Sequence, residues 1–588
     1  MKDGYIADYI SGEEVRGTPE EIEAVQPLAK ILVEDYGYSK DCIITHPQYR
    51  VKVRPSDEKK EYPIDLAVFS DSNKNDDTLF IVGECKKKTR KDGISQLKDY
   101  LRFCSASLGI WFNGEERVYL RKYERNGKIE FVEIPNIPKF GQRIEDIGLF
   151  KRSDLKVTHN LKATFKAIRN HLAANTVGAT RDEVLAQQLI NLIFCKIYDE
   201  RHTKPDEIVH FRAGLDEKPE DVRTRILDLF DEVKRKYKGV MDKSDVISLD
   251  ANSIVYIVGE LQNYCLVDTE RDIIADAFET FIDHALKGGQ GQFFTPRNVV
   301  KMMVDILDPD SEDIVIDPSC GSGGFLIEAL RHVWKKIDEK AIQYNWSPED
   351  TQQEKMDFAM NRLKGIDKDY FLAKVAKAYL AILGVNKSCI FCEDSLENPK
   401  NWSKEASLSI RKDENTRLLT NPPFGSKIPV KGEDKLKQYD LGFKWVLDKE
   451  SSELVMSNKL KDKESPQVLF IERDLQLLAD YGKLAIVLPD GVFGNDTFAY
   501  IRKWLKTKGR ILAIIDIPIE TFQPNTATKT SVLIFQKLPV EEIPENYPIF
   551  MALVSTCGHD RRGNETDNDE IALVAEEYKK WAEKHHIS

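Results

Sequence analysis

Nowhere in this sequence does an apolar run approach the roughly 20 residues that a membrane-spanning helix needs, and no membrane association is expected. The first residues, MKDGYIADYISGEEV, lack a basic segment followed by an apolar one, so no secretory signal is read there. The expected location is the cytoplasm, where thiols stay reduced. Cysteine is thinly spread: nine residues, with a single CxxC formed by Cys389 and Cys392 in the apolar segment CIFC. Without a second CxxC or a histidine pair nearby, that spacing argues for thiols buried on a strand rather than for a zinc site. Internal repeats are absent. Excess positive charge is absent too. The formal net charge is −12, which disfavours a chain that holds a polyanion unaided and points to a partner that shares the task.

What is present is a globular balance, 41% hydrophobic and 31% charged, over 588 residues. That is too long for one core, and at ~150 residues per domain about four units are expected. Residues 1–150 read as mixed α/β. A helical stretch, EEIEAVQPLAKILVEDYGY, precedes the alternating segments QYRVKVR, PIDLAVFS and TLFIVGECK, then a helix, ISQLKDYLRFC, and a strand, LGIWFNG. The segment SDSNKNDD has hairpin-turn chemistry. Residues 151–275 carry helical periodicity nearly throughout, as in EVLAQQLINLIFCKIYDE and VRTRILDLFDEVKRKY. Over 276–545, apolar strands alternate with helices, which predicts a mostly parallel sheet covered on both faces, with ligands at the carboxyl ends of its strands. Two charged stretches, 397–417 and 427–464, look too polar for a core; the second is either a mobile loop over the site or a solvated insertion. Residues 546–588 read as a tail ending in a short surface or partner-facing helix.

Three motifs occur in order. Gln292, Phe293, Phe294, Thr295, Pro296 and Arg297 precede the sheet. DPSCGSGGF, beginning at Asp317, closes the first strand, and Asn421, Pro422, Pro423 and Phe424 close a later one. Gly321, Gly323 and Gly324, with Ser322 among them, let a strand turn tightly into a helix while a ligand approaches the backbone. The spacing is neither a dinucleotide fingerprint nor a phosphate-binding loop. Asp367 and Asp394 fall at later strand ends, where a carboxylate can accept hydrogen bonds from ribose hydroxyls or an exocyclic amine. The Asn-Pro-Pro-Phe turn offers two acceptors, the Asn421 side-chain oxygen and the Pro422 carbonyl, on a backbone stiffened by proline. Such a pair can draw an aromatic amino nitrogen towards a tetrahedral, nucleophilic geometry. Phe424 offers a face on which an extruded base can stack. No Pro-Cys pair of the cytosine-C5 type accompanies the motif.

These residues, with KLAIVLPDGVF, TSVLIFQK and GHDRRGN, make the chain similar to the N6-adenine DNA methyltransferase family, above all to modification subunits of type I restriction–modification systems. The resemblance spans about 276–571. It implies a Rossmann-like, class I S-adenosylmethionine-dependent sheet preceded by a helical domain, and site-specific adenine methylation of double-stranded DNA. It implies that the six residues from Gln292 to Arg297, together with Asp317, Gly321, Ser322, Gly323, Gly324 and Asp367, bind S-adenosylmethionine, with Asp394 at the cofactor adenine. Asn421, Pro422, Pro423 and Phe424 would meet the target adenine. Only about fifty residues follow TSVLIFQK, too few for a target-recognition domain. A separate specificity subunit is therefore expected, and a restriction subunit beside it. Two alternatives stay open at this point: methylation of RNA or of a protein glutamine, and a catalytically silent scaffold that recruits a nuclease.

In the N-terminal region, Asp65 in PIDLAVF precedes Glu84 and Lys86 of ECK by a hairpin's length. Two such carboxylates can hold Mg²⁺, and a lysine can polarise the attacking water. Gln96 and Tyr100 lie four apart on one helix and share a face. This pattern resembles the PD-(D/E)xK nucleases, most closely the N-terminal domain of type I restriction subunits. Glu21 is a candidate extra metal-site acid, and the basic run 86–90 serves catalysis, phosphate contact or solubility.

Overall fold

The structure is a computed structural model. It describes the chain apart from residues 1–3, 53–58, 60–61, 126, 158–160, 176–181, 270–294, 386, 388, 426–428, 451–452, 524–525, 527, 563 and 588. Its contacts divide into two compact units, one formed by residues 1–238 and 242–288, the other by 239–241 and 289–588.

The first unit is built on a six-stranded sheet: β1 (Ile43–Ile44), β2 (Leu66–Phe69), β3 (Leu79–Cys85), β4 (Leu108–Phe112), β5 (Arg117–Arg125) and β6 (Lys128–Ile134), each beside its neighbour in sequence. All pairs are antiparallel except β3–β4, whose parallel pairing needs the crossover helix α2 (Ile94–Arg102). Both faces are covered. Leu66 and Val68 pack with α1 (Gln26–Glu34) on one side; Ala67 and Phe69 pack with α2 on the other. That is why β2 reads as an uninterrupted apolar run.

Helices α3 (Leu161–Asn175), α4 (Asp182–His202), α5 (Pro219–Lys236) and α6 (Ala251–Leu261) follow. The boundary expected at residue 150 is not a break in packing. Buried Arg117 of β5 forms an ion pair with buried Glu260 of α6, Nε to Oε2 at 2.8 Å. The Asn136 amide donates to the Gly259 carbonyl, and the Tyr264 hydroxyl to Asp35.

The second unit opens with α7 (Arg297–Leu307) and carries an eight-stranded sheet. Its strands are β7 (Val315–Asp317), β8 (Leu363–Asp367), β9 (Cys389–Cys392), β10 (Asn415–Thr420), β11 (Leu478–Pro489), β12 (Gly509–Asp516), β13 (Thr530–Lys537) and β14 (Phe550–Leu553), in the order β9-β8-β7-β10-β11-β13-β12-β14. The first five strands run parallel, and β13 is antiparallel to both neighbours. Helices α8 (Gly324–Tyr344) and α9 (Tyr370–Ile382) carry the chain outward from β7 to β8 and β9. It then crosses back to β10 on the other side of β7. The order therefore reverses between β7 and β10, where ligands bind in such sheets.

Three expectations are corrected. The charged stretches do feed the core: Trp402, Ala406, Ile410 and Leu441 join the central apolar cluster, and Leu436 and Tyr439 a second one. Isolated apolar residues inside polar sequence are enough once a sheet face offers them a partner. Cys392 is exposed rather than buried, because β9 is an edge strand. Residues 546–588 are no loose tail. β14 pairs in parallel with β12, and α11 (Ile571–Lys584) buries Ile571, Val574 and Tyr578, with Tyr578 and Trp581 against Phe550.

Candidate active site

At the reversal point the glycine loop and the Asn-Pro-Pro-Phe elbow are neighbours. The Ser319 hydroxyl lies 2.6 Å from that of Thr420, and Thr420 also donates to Asp317 Oδ1 at 2.9 Å. Asp317 is 1% exposed, and the same oxygen accepts the Ser319 N–H. It ties two strand ends together from beneath. Burial pushes its carboxyl up to about 7.

Above this tie the loop is open. A Cβ added at Gly321 or Gly324 would meet nothing within 4 Å. Gly323 is needed for a different reason: its φ is +94° and α9 approaches closely at Ala376. Asp367 at the end of β8 shapes the loop, one oxygen accepting the Gly321 N–H and the other the Asp369 N–H, both at 2.8 Å. Burial raises its carboxyl, against the lowering effect of those two N–H groups. A concave backbone, an exposed helix start at Gly324 and a carboxylate at a strand end fit a nucleoside bearing an anionic amino-acid tail. Ser322 is half-buried in the same turn. Asp394 follows β9; Oδ1 accepts the Leu396 N–H, and Oδ2 faces Lys435 Nζ at 2.6 Å. Lys435 comes from the insertion after the elbow, on the short helix Glu433–Leu436. Glu472 of α10 (Pro466–Leu477), accepting the N–H groups of Asp440 and Leu441, pins that insertion. It is a packed arm, and sequence reasoning missed its lysine.

The elbow itself is partly open: Pro422 is buried, while Asn421, Pro423 and Phe424 are half-buried. The Gly425 N–H donates to Gln467 of α10 and closes the turn. Asn421 Nδ2 donates to Thr295 Oγ1 at 2.9 Å, whereas Asn421 Oδ1 is buried with no partner among the described residues. A buried acceptor left unpaired is costly, and a ligand donor would satisfy it. Thr295 and Pro296 are half-buried and exposed Arg297 opens α7; Gln292, Phe293 and Phe294 lie outside the described residues. Asn298 donates to the Cys557 carbonyl and to Asp569 Oδ2, both at 3.0 Å, so the hairpin Cys557–His559 and Glu565–Asp569, which flanks GHDRRGN, staples the start of α7.

In the first unit, β2 and β3 bring Asp65 and Glu84 side by side, with Leu66 opposite Gly83. The Cys85 N–H donates to Asp65 Oδ2 at 2.7 Å, and Lys86 pairs with Glu84. Burial lifts Asp65 to about 6, and burial together with the Asp65 charge lifts Glu84 to about 7. Buried Glu84 and half-buried Asp65, with Lys86 the one cation paired with them among the described residues, fit a divalent metal. Gln96 donates to the Tyr100 hydroxyl on α2. Glu21 accepts from Gln26, meets His46 at 3.0 Å, and has its carboxylate close enough to Asp8 and His46 for the three to share a cation, while its charge also acts on Asp65.

The N-6 DNA methylase family matches residues 269–588, more than half of the chain. The chain belongs to that family. Residues 19–138 separately match the N terminus of the type I restriction enzyme R protein. The chain is 26% identical over 284 residues to the EcoEI type I methylase subunit of Escherichia coli, covering 47% of this chain and 48% of that one. Against the MjaVII methylase subunit of Methanocaldococcus jannaschii it is 25% identical over 434 residues, covering 71% and 68%. It thus spans about half the length of the first relative. In fold it is similar to the modification subunit assigned to a type I restriction enzyme of Vibrio vulnificus, with a TM-score of 0.50, 18% identity, and 73% and 90% of the two chains covered. Among the described residues no helix is long and apolar enough to cross a membrane.

Proposed function

We propose that this chain is the modification subunit of a restriction–modification system and methylates the N6 amino group of adenine in DNA. The observation that carries the reading is Asn421, anchored through its nitrogen by Thr295 and holding a buried oxygen that is unpaired among the described residues, beside the open glycine loop. S-adenosylmethionine, once bound, supplies an electrophilic methyl group on a sulfonium. Gly321, Ser322, Gly323, Gly324 and Asp367 would hold it, with Asp394 towards its nucleoside end. Asn421 Oδ1 and the Pro422 carbonyl accept the two amino hydrogens of an extruded adenine, which frees the nitrogen lone pair from the ring. Phe424, half-buried on the same turn, stacks on the base. No covalent bond to the protein is required. The net charge of −12 supports a separate specificity subunit that grips the duplex.

In the first unit Asp65 and Glu84 would hold Mg²⁺, and Lys86 would orient the attacking water for phosphodiester cleavage in concert with a restriction subunit.

The test is co-expression with the neighbouring specificity-type chain, followed by mapping of N6-methyladenine in host DNA. Wild type is expected to give methylation at one sequence motif and Asn421→Ala none. Persistence of the mark in Asn421→Ala would remove the elbow from the reaction.

A further inference from the structure

Resting on the methyl-transfer reading, we infer that Thr295 is a positioning residue for the Asn421 acceptor rather than a contact to the cofactor. Its hydroxyl oxygen lies 2.9 Å from Asn421 Nδ2, across 126 residues of sequence. Pro422 fixes the backbone after Asn421, but the amide still turns about its own side-chain bonds. Thr295 removes that freedom. With Nδ2 held, Oδ1 sits in one place, buried and unpaired among the described residues, ready for an amino hydrogen. A hydroxyl can donate or accept; here the Thr295 oxygen accepts from Nδ2, which leaves Oδ1 as the end offered to the base.

The post that carries Thr295 is itself fixed. Three residues on, Asn298 is stapled to Cys557 and Asp569. The arrangement runs from a hairpin near residue 560, through the first turn of α7, to the amide at the end of β10.

Thr295→Val removes the hydroxyl at nearly constant volume, and Thr295→Ser restores it. In the complex that methylates DNA, Thr295→Val is expected to lower kcat roughly ten-fold, the loss of one hydrogen bond acting on the transition state. Its dissociation constant for S-adenosylmethionine, by calorimetry, should stay within two-fold of wild type, and Thr295→Ser should recover most of kcat. A purely structural role would not split the two constants in this way. Should valine prevent folding, Thr295→Ala carries the same comparison. Unchanged kcat, or weakened cofactor binding with kcat intact at saturation, overturns the inference and returns Thr295 to the cofactor. Absence of N6-methyladenine with the wild-type complex would instead overturn the methyl-transfer reading.

Discussion

Asp65→Asn should stabilise the first unit, and by an amount that depends on pH. The carboxyl is held at about 6 against an ordinary 3.8, chiefly by burial. At pH 8 it is ionised in both folded and unfolded chains, and the folded state then carries the full cost of the buried charge. At ~1.4 kcal/mol per pKa unit that is ~3 kcal/mol. The sign follows from linkage: a group whose folded pKa is raised contributes stability that is complete below pH 4 and drains away as the pH rises through 6. At pH 5 only about half of the cost remains. The amide oxygen of asparagine keeps the Cys85 N–H bond, and Lys86 keeps Glu84. The expected gain is therefore ~3 kcal/mol at pH 8 and about half that at pH 5; at roughly 2–4 °C per kcal/mol the midpoint of thermal unfolding rises by roughly 6–12 °C at pH 8. Millimolar Mg²⁺ should raise the wild-type midpoint at pH 8 and leave Asp65→Asn unmoved. A destabilised variant at pH 8, or an equal gain at both pH values, would refute the reasoning.

Lys435→Met frees Asp394 from a partly exposed ion pair, so stability should change by less than ~1 kcal/mol. Cofactor affinity by calorimetry should tighten several-fold; weaker binding would mean that the lysine orients the carboxylate. Asp474 is fully buried on α10 with neither oxygen partnered among the described residues, and burial near Asp317 drives its carboxyl well up. Asp474→Leu should stabilise the second unit by ~1–3 kcal/mol in chemical unfolding, and a loss would reveal an unseen donor. Glu260→Ala leaves Arg117 buried and unpaired and should cost ~3–5 kcal/mol; a cost below 1 kcal/mol by the same assay would show that the pair is dispensable.

The parallel sheet, the glycine turn and the elbow were legible because each is a local pattern: an apolar strand, residues lacking Cβ, prolines at a strand end. The adjacency of Asp65 and Glu84 was equally legible, since one hairpin sets it. The hydrogen bonds of Asp317 to Ser319 and Thr420 were not, because a carboxylate bonded within its own sheet and one that is not have the same sequence signature. Neither the Thr295 contact nor the Lys435 contact follows from periodicity; both arise where chain segments return to the switch point. The lone apolar residues of the insertions, Tyr439 and Leu441 among them, were hidden by charged neighbours that stay in solvent while they turn inward.

The hairpin holding Asn298 is made after every parallel strand of the second unit. A growing polypeptide that has released all residues through Lys537 owns the glycine loop and the elbow, but has no clamp on the helix beside them. The staple on the start of that helix is thus a late product of synthesis, completed only once residues 557–569 have emerged.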